Sequence, residues 1–209
     1  APRYVVVNAD ESEPGTFKDR WLLERDPHRV LDGALVACWA TGANEMYVYL
    51  RDEHPHLRAM LATEVARLAD ARLSPVRIHL RRGAGADVCG EETAMLESIE
   101  GKRGYPRNKP PYPSQVGLFG RPTLVQNVET LAWVRDIVER GASWWTGHGR
   151  RGRRGLRYFS LCGRVRRPGV HLAPNGVTAR ELVEEFGGGM ADGHAFAAYL
   201  PGGMAGGIL

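Results

Sequence analysis

The chain has 209 residues, 43% hydrophobic and 25% charged with a formal net charge of +4, enough for one sizeable core and a small satellite domain. No apolar run approaches the ~18 to 20 residues that cross a bilayer, and Ala1 to Val7 lack the flanks of a signal peptide. Direct membrane insertion is therefore excluded, and a cytoplasmic setting is expected. Cys38, Cys89 and Cys162 stand alone, outside any C-x-x-C or Cys/His cluster, which argues against a disulfide framework and against a metal site in this segment.

The apolar start and the glycine-rich stretch Pro201 to Leu209 both read as cut ends. Tyr4 to Asn8 is a β-branched run, a buried strand delivering an acidic Pro-Gly loop. Asp26-Pro27 has the pattern of an N-cap followed by proline at the first helical position, with Leu31, Ala34, Leu35 and Cys38 at helical spacing and Gly42 as the stop. Glu45 to Leu50 is a second strand. His54 to Leu73 is an amphipathic helix with Leu57, Met60, Leu61, Val65 and Leu68 on one face, and Val76, Ile78 and Leu80 alternate as a third strand. This order predicts an α/β domain with an open, mostly parallel sheet flanked by helices.

Gly83 to Glu92 then leads into a helix carrying Met95, Leu96 and Ile99, followed by a long irregular segment, Gly101 to Pro122. A loop of that length in a compact domain is more often functional than not. Val128 to Gly141 is a further helix. Ser143 to Gly155 is a glycine- and arginine-rich linker, so the expected division is 1–141, a linker at 142–155, and a second domain at 156–209. In that domain Tyr158 to Leu161 and Val170 to Leu172 form a hairpin, Asn175-Gly176 a turn, Thr178 and Glu181 a capping box opening the helix Ala179 to Phe186, and Phe196 to Leu200 another strand. The sum predicts a small β-grasp-like (ubiquitin-like) module.

Four segments suit ligand chemistry. Gly83, Gly85 and Gly90 let backbone amides approach an anion where a helix begins, although the spacing is neither G-x-G-x-x-G nor a P-loop. Glu91 and Glu92 serve there either as plain caps or as acceptors for ribose hydroxyls. Asn8, Asp10, Glu11, Ser12 and Glu13 sit at the carboxyl end of the first strand, where open α/β sheets place ligands. A hard metal at these carboxylates needs about six oxygen ligands, and no complement is evident. Lys109 and Tyr112 lie on a proline-held loop suited to phosphates and a purine ring. Gln126 and Asn127 offer amides to a flavin or nicotinamide edge, or simply cap a helix. The basic run Arg150-Arg151-Gly152-Arg153-Arg154 has no interleaved aromatic residues, so it reads as a solvated loop or a face for an acidic partner, and no nucleic acid is expected.

The segments NADESEPGTFKDR, GAGADVCGEETAMLESIEGKRG, KPPYP, GLFGRPT and QNVETL occur in this order. Through them the chain resembles the flavoprotein subunits shared by complex I NADH dehydrogenase (the F, or 51 kDa, type), NAD-reducing hydrogenases and NAD-dependent formate dehydrogenases. Segments such as Trp133 to Ile137, Met190 to His194 and Tyr199 to Gly203 look most like the formate dehydrogenase diaphorase (beta) subunit. The resemblance implies an NADH:acceptor oxidoreductase using FMN and NAD, with a 4Fe-4S cluster only in a C-terminal region absent here and a glycine-rich segment expected before Ala1. It implies iron–sulfur partners, namely a thioredoxin-like 2Fe-2S subunit and a catalytic or cluster-bearing subunit, on the cytoplasmic side of any membrane complex. By motif, Asn8, Asp10, Glu11, Ser12, Gly83, Gly85, Gly90, Glu91, Gln126 and Asn127 correspond to the FMN contacts. Glu13, Glu92, Lys109 and Tyr112 correspond to the NAD contacts. No catalytic acid, base or metal ligand is implied in this segment. Asp87 stands where the family usually has an aromatic residue, and Gln126 where it usually has asparagine. The competing class is a flavin-free scaffold or binding module.

Overall fold

The computed structural model describes residues 3–202 and 206–209; Gly203 of the formate dehydrogenase-like segment lies outside them. The chain divides into two compact units. One takes the chain up to Ser12 together with Leu22–Arg135, and the other takes Glu13–Trp21 with Asp136 onward. The 13–21 segment thus groups with the unit that contains 156–209, the expected second domain.

The first unit is built on a four-stranded parallel sheet of β1 (Tyr4–Ala9), β2 (Glu45–Leu50), β3 (Arg77–Arg82) and β4 (Thr123–Asn127), in the order β3-β2-β1-β4. Val5, Val6 and Val7 have no exposed surface, as a central strand covered on both faces requires. β3 is an edge strand carrying exposed arginines, a common way of keeping an edge from pairing with another chain. The fourth strand is not among the expected elements: Thr123 to Val125 carry no assignment and Gln126-Asn127 reads as amides for a ligand or a helix cap, yet Thr123–Asn127 pairs in register with Tyr4–Asn8.

Helix α1 (Lys18–Arg25) is likewise hidden in the sequence, because its charged majority masks Leu22 and Leu23, its buried apolar positions. α2 (Pro27–Thr41) has the expected ends. Asp26 accepts the Arg29 amide, and Gly42 adopts φ 68° so that its amide returns to the last carbonyls. α3 (Pro55–Asp70), α4 (Glu92–Ile99) and α5 (Val128–Arg140) complete the helices of this layer. Right-handed crossovers put the β1–β2 and β2–β3 helices on one face and the β3–β4 helix on the other. On that second face Val6, Tyr47 and Tyr49 pack with Met95, Leu96, Ile99 and Leu118. α2 and α5 touch at Gly33, where a Cβ would lie 1.9 Å from the Leu131 carbonyl oxygen. Burial pushes the Cys38 thiol up to about 11, so it is a neutral core residue near pH 7.

The second unit contains α6 (Ala142–Thr146), the antiparallel hairpin β5 (Leu156–Leu161) and β6 (Gly169–Pro174), and α7 (Ala179–Glu181) continued by a π-helical turn, Leu182–Phe186. The capping box at Thr178 and Glu181 forms as expected. The segment read as a linker is folded: the Arg150 amide donates to Asn175, and Gly155, at φ 87°, lies so close to Trp145 that a Cβ would come within 2.4 Å of the indole. Arg150 and Arg151 are held by Glu185 and Glu181 of the same unit rather than offered as a bare basic face. The strand expected at Phe196 to Leu200 does not form. Among the described residues its backbone bonds only through the reciprocal pair Tyr199–Leu209, and a strand needs a continuous ladder. Among the described residues no helix is long and apolar enough to cross a membrane.

Candidate functional site

The register sets the carboxyl ends of the strands level, with Ala9 beside Leu50, Leu50 beside Arg82, and Asn8 beside Asn127. The chain leaves β1 toward β2 on one side and reaches β4 on the other only after β3. The crevice beyond β1 and β4 is therefore the topological switch point, where open α/β sheets hold ligands.

Asn8 organises that crevice. Its Nδ2 donates to the Gly90 carbonyl (2.9 Å), its Oδ1 accepts the Asp10 amide (3.2 Å), and its own carbonyl accepts Asn127 Nδ2 (3.4 Å). The Asn8 side chain thus fastens the first strand to the glycine loop, and its main-chain carbonyl ties that strand to the Asn127 side chain at the end of the fourth. Asn127 Oδ1 accepts the Glu129 amide and so opens α5. Asp10 is buried, Arg51 Nη1 holds the Glu11 carbonyl (2.5 Å), and Ser12 Oγ reaches the Asp87 carbonyl (3.4 Å).

The glycine loop is shaped from beneath. The Gly83 amide donates to Leu50 (2.7 Å), and the Ala84 amide donates to the hydroxyl of Tyr49 (2.9 Å), which also bonds Ser98 of α4 (2.9 Å). Burial pushes the Tyr49 phenol up to about 12, which keeps it a neutral strut. Gly85 takes φ 73°, and a Cβ at Gly90 would press on the Asp10 carbonyl at 3.3 Å. The amides of Gly85, Ala86 and Asp87 have no acceptor among the described residues, so three successive donors remain at the loop's crest.

The acidic pair at the start of α4 resolves into two roles. Glu91 Oε2 caps the helix, accepting the Thr93 and Ala94 amides and the Thr93 hydroxyl, while Oε1 accepts Lys109 Nζ (3.1 Å). Burial alone would raise its pKa, but the Thr93 hydroxyl, the Ala94 amide and the Lys109 ammonium hold it below the usual carboxylate value. Glu92, half-exposed, accepts the same ammonium (2.5 Å), and the two carboxylates, Glu92 first, raise the Lys109 pKa. Tyr112 is 54% exposed on the same loop.

The structure therefore brings Asn8, Asp10, Glu11, Ser12, Gly83, Gly85, Gly90 and Asn127 to one strand-end crevice, with Glu91, Glu92 and Lys109 clustered at the helix start. It does not group Gln126 with Asn127. Strand alternation turns Gln126 to the face of Val7, opposite the α4 side. Glu13 belongs to the second unit, where the Thr16 hydroxyl holds its carbonyl (2.7 Å). Tyr49, Thr93 and Arg107 support the site although sequence reasoning does not single them out. Tyr49 reads only as core, and no spacing links Thr93 or Arg107 to the loops they brace. Among the described residues no group of three or more His, Cys, Asp or Glu is placed to hold a metal.

The family described as the Nuo51 FMN-binding domain matches residues 1–136. An NADH-quinone oxidoreductase F-type chain (F 2) of Rhizobium meliloti (strain 1021) is 45% identical over 217 residues, covering 100% of this chain and 52% of the relative. The NADH-quinone oxidoreductase F chain of Aquifex aeolicus (strain VF5) is 45% identical over 212 residues, covering 97% of this chain and 50% of the relative. The crystal structure of an NAD+-reducing [NiFe]-hydrogenase in the air-oxidized state superposes with a TM-score of 0.90 at 42% identity, over 100% of this chain and 36% of that one. The chain spans about half the length of the curated relatives it matches. With its parallel sheet, its glycine loop and these relatives in agreement, the chain belongs to the Nuo51 FMN-binding domain family.

Proposed function

We propose that the switch-point crevice holds FMN and that the adjoining Glu92–Lys109 pair, with Tyr112 on the same loop, receives NADH, within an NADH:acceptor oxidoreductase that exchanges electrons with iron–sulfur partners. The observation that most supports this reading is the glycine loop beside Asn8, with its crest of open amides and no side chain at Gly83, Gly85 or Gly90. That loop fits the ligand. A planar ring system needs a wall without Cβ atoms, and successive backbone amides suit a phosphate or a ring carbonyl. Asn8, Asp10, Glu11, Ser12, Gly83, Gly85, Gly90, Glu91 and Asn127 would line FMN, while Glu92, Lys109 and Tyr112 would contact the dinucleotide. When bound, FMN supplies a hydride acceptor that can release electrons singly.

The chain's own residues bind and orient. Lys109 brings a positive charge that its two carboxylates keep protonated, suited to a dinucleotide phosphate. Tyr112 offers an exposed ring for stacking. The buried Tyr49 and the half-buried Asn8 hold the loops at fixed height, so that binding does not pay for ordering them. No side chain is assigned as nucleophile, acid or base.

For the parent assembly, Trp133 to Ile137 and Met190 to His194 support a formate dehydrogenase, while the relatives above belong to NADH-quinone oxidoreductases and a hydrogenase. Formate-dependent NAD+ reduction by the purified assembly separates these. The decisive experiment on the chain's role is NADH oxidation by ferricyanide with the full-length protein reconstituted with FMN. Turnover that requires FMN, with KM for NADH raised in Lys109→Ala, supports the reading. No flavin uptake favours a flavin-free scaffold, with Asp87, exposed in the glycine loop, as the residue to replace first.

A further inference from the structure

The loop from Gly101 to Pro122 carries Lys109 and Tyr112, yet its only regular element is a 3-10 turn, Leu118–Gly120. Ordering an irregular backbone costs conformational entropy at every residue, so something outside secondary structure must hold it. Arg107 makes four of the connections. The Arg107 amide donates to Thr93 Oγ1 (2.8 Å), Nε to Glu97 (2.6 Å), Nη2 to Glu100 Oε1 (2.8 Å), and Nη1 to the Gly117 carbonyl (2.9 Å). Its side chain is 23% exposed and that of Glu100 only 7%.

Glu100 gathers the rest of the loop, accepting Lys102 Nζ (2.6 Å) near the start and the Phe119 amide (2.7 Å) near the end. Thr93 closes the circuit. Its hydroxyl accepts from Arg107 and donates to Glu91 Oε2, while Glu91 Oε1 accepts Lys109, two residues beyond Arg107. Arg107 therefore determines where the Lys109 ammonium stands relative to the start of α4, without being part of the Glu91–Glu92–Lys109 cluster.

We infer that Arg107 is the positioning residue of the nucleotide-binding loop, setting the affinity for NADH through Lys109 and Tyr112 while leaving FMN binding and the chemical step alone. The inference rests on the reading that these two residues meet the dinucleotide. An interaction that holds a binding loop contributes equally to ground and transition states, so its loss appears in KM and spares kcat. A lysine cannot replace it, because the planar fork spans two carboxylates and a carbonyl at once.

The test uses the full-length, FMN-reconstituted protein in the NADH–ferricyanide assay, with flavin content measured on the same samples. Arg107→Ala is expected to raise KM for NADH about tenfold, the loss of one to two charge-assisted hydrogen bonds. Arg107→Lys should raise it less, kcat and bound FMN should stay within about twofold of the wild type, and added guanidinium should lower the KM of Arg107→Ala. If Arg107→Ala fails to fold, Arg107→Lys carries the same comparison. An unchanged KM in the Arg107 variants beside a raised KM in Lys109→Ala overturns the inference alone. An unchanged KM in both overturns the underlying reading with it. Parallel loss of FMN and kcat reduces Arg107 to a structural residue and overturns the inference as well.

Discussion

Two clusters of arginine and glutamate, one in each unit, use the same chemistry for different ends. In the first unit Arg107 lies against Glu97 and Glu100, and the carboxylates and guanidinium also bond backbone groups of the irregular loop, the Phe119 amide and the Gly117 carbonyl. In the second unit Arg150 and Arg151 make two-pronged pairs with Glu185 and Glu181, but these side chains are more exposed. Arg151 is 53% exposed, and the helix start is already closed by Thr178. An ion pair matters to a structure in proportion to the backbone that depends on it and to the water kept from it. The first cluster stands in for secondary structure; the second adds to a structure already made.

The largest effect should come from breaking the first cluster at its centre. Glu100→Ala takes one of its two carboxylates from Arg107, leaves the Phe119 amide without its acceptor, and is expected to cost about 2 to 3 kcal/mol in urea unfolding. Tyr49→Phe follows at about 1 kcal/mol, since it leaves the Ala84 amide and Ser98 without their hydroxyl, and bound FMN should weaken with it. Arg151→Ala in the second unit should have a smaller effect than either. In 1 M salt it should vanish while the Glu100→Ala effect persists, because screening reaches exposed pairs first. Equal salt sensitivity of the two variants would dissolve the distinction.

The pH dependence sharpens the same contrast. The Glu91 and Glu100 carboxyls sit in surroundings whose burial would raise their pKa, and hydrogen bonds from Thr93, Ala94 and Lys109 in one case, and from Lys102, Arg107 and Phe119 in the other, hold them below the usual value. A depressed carboxyl contributes stability that is complete above its unfolded value and lost as pH falls through the folded one. Glu181 is lowered from 4.5 to about 2, chiefly by Arg151, so its contribution to the second unit should fade between those two pH values. Amide exchange at Thr178, whose N–H bonds Glu181, should rise over that window and not above it. A flat profile there would remove the pair's role in holding the helix start.

Legibility follows how local each signal is. Asp26, Pro27 and Gly42 bound α2, and Thr178 with Glu181 bound α7, because a cap is a matter of a few adjacent residues. β4 escapes because Thr123 to Asn127 declares itself a strand only when Tyr4 to Asn8 lies beside it. Phe196 to Leu200 errs in the opposite direction, having an apolar composition suited to a strand but no continuous ladder to join. In the site, the glycines and Asn8 are legible from motif. The division of labour between Glu91, a cap, and Glu92, a partner of Lys109, is not, because adjacent glutamates at a helix start look alike until the donors they accept from are placed.

The sequence by itself determined the α/β alternation, the caps, the glycine loop and the family, since each is written in neighbouring residues or in ordered motifs. Only the tertiary structure decided that Gln126 and Asn127 face opposite ways, that Arg150 and Arg151 are already paired, and that Arg107 braces the Lys109 loop. These depend on strand pairing and on contacts between residues distant in the chain, whose geometry is settled by packing rather than by the local preferences a sequence displays.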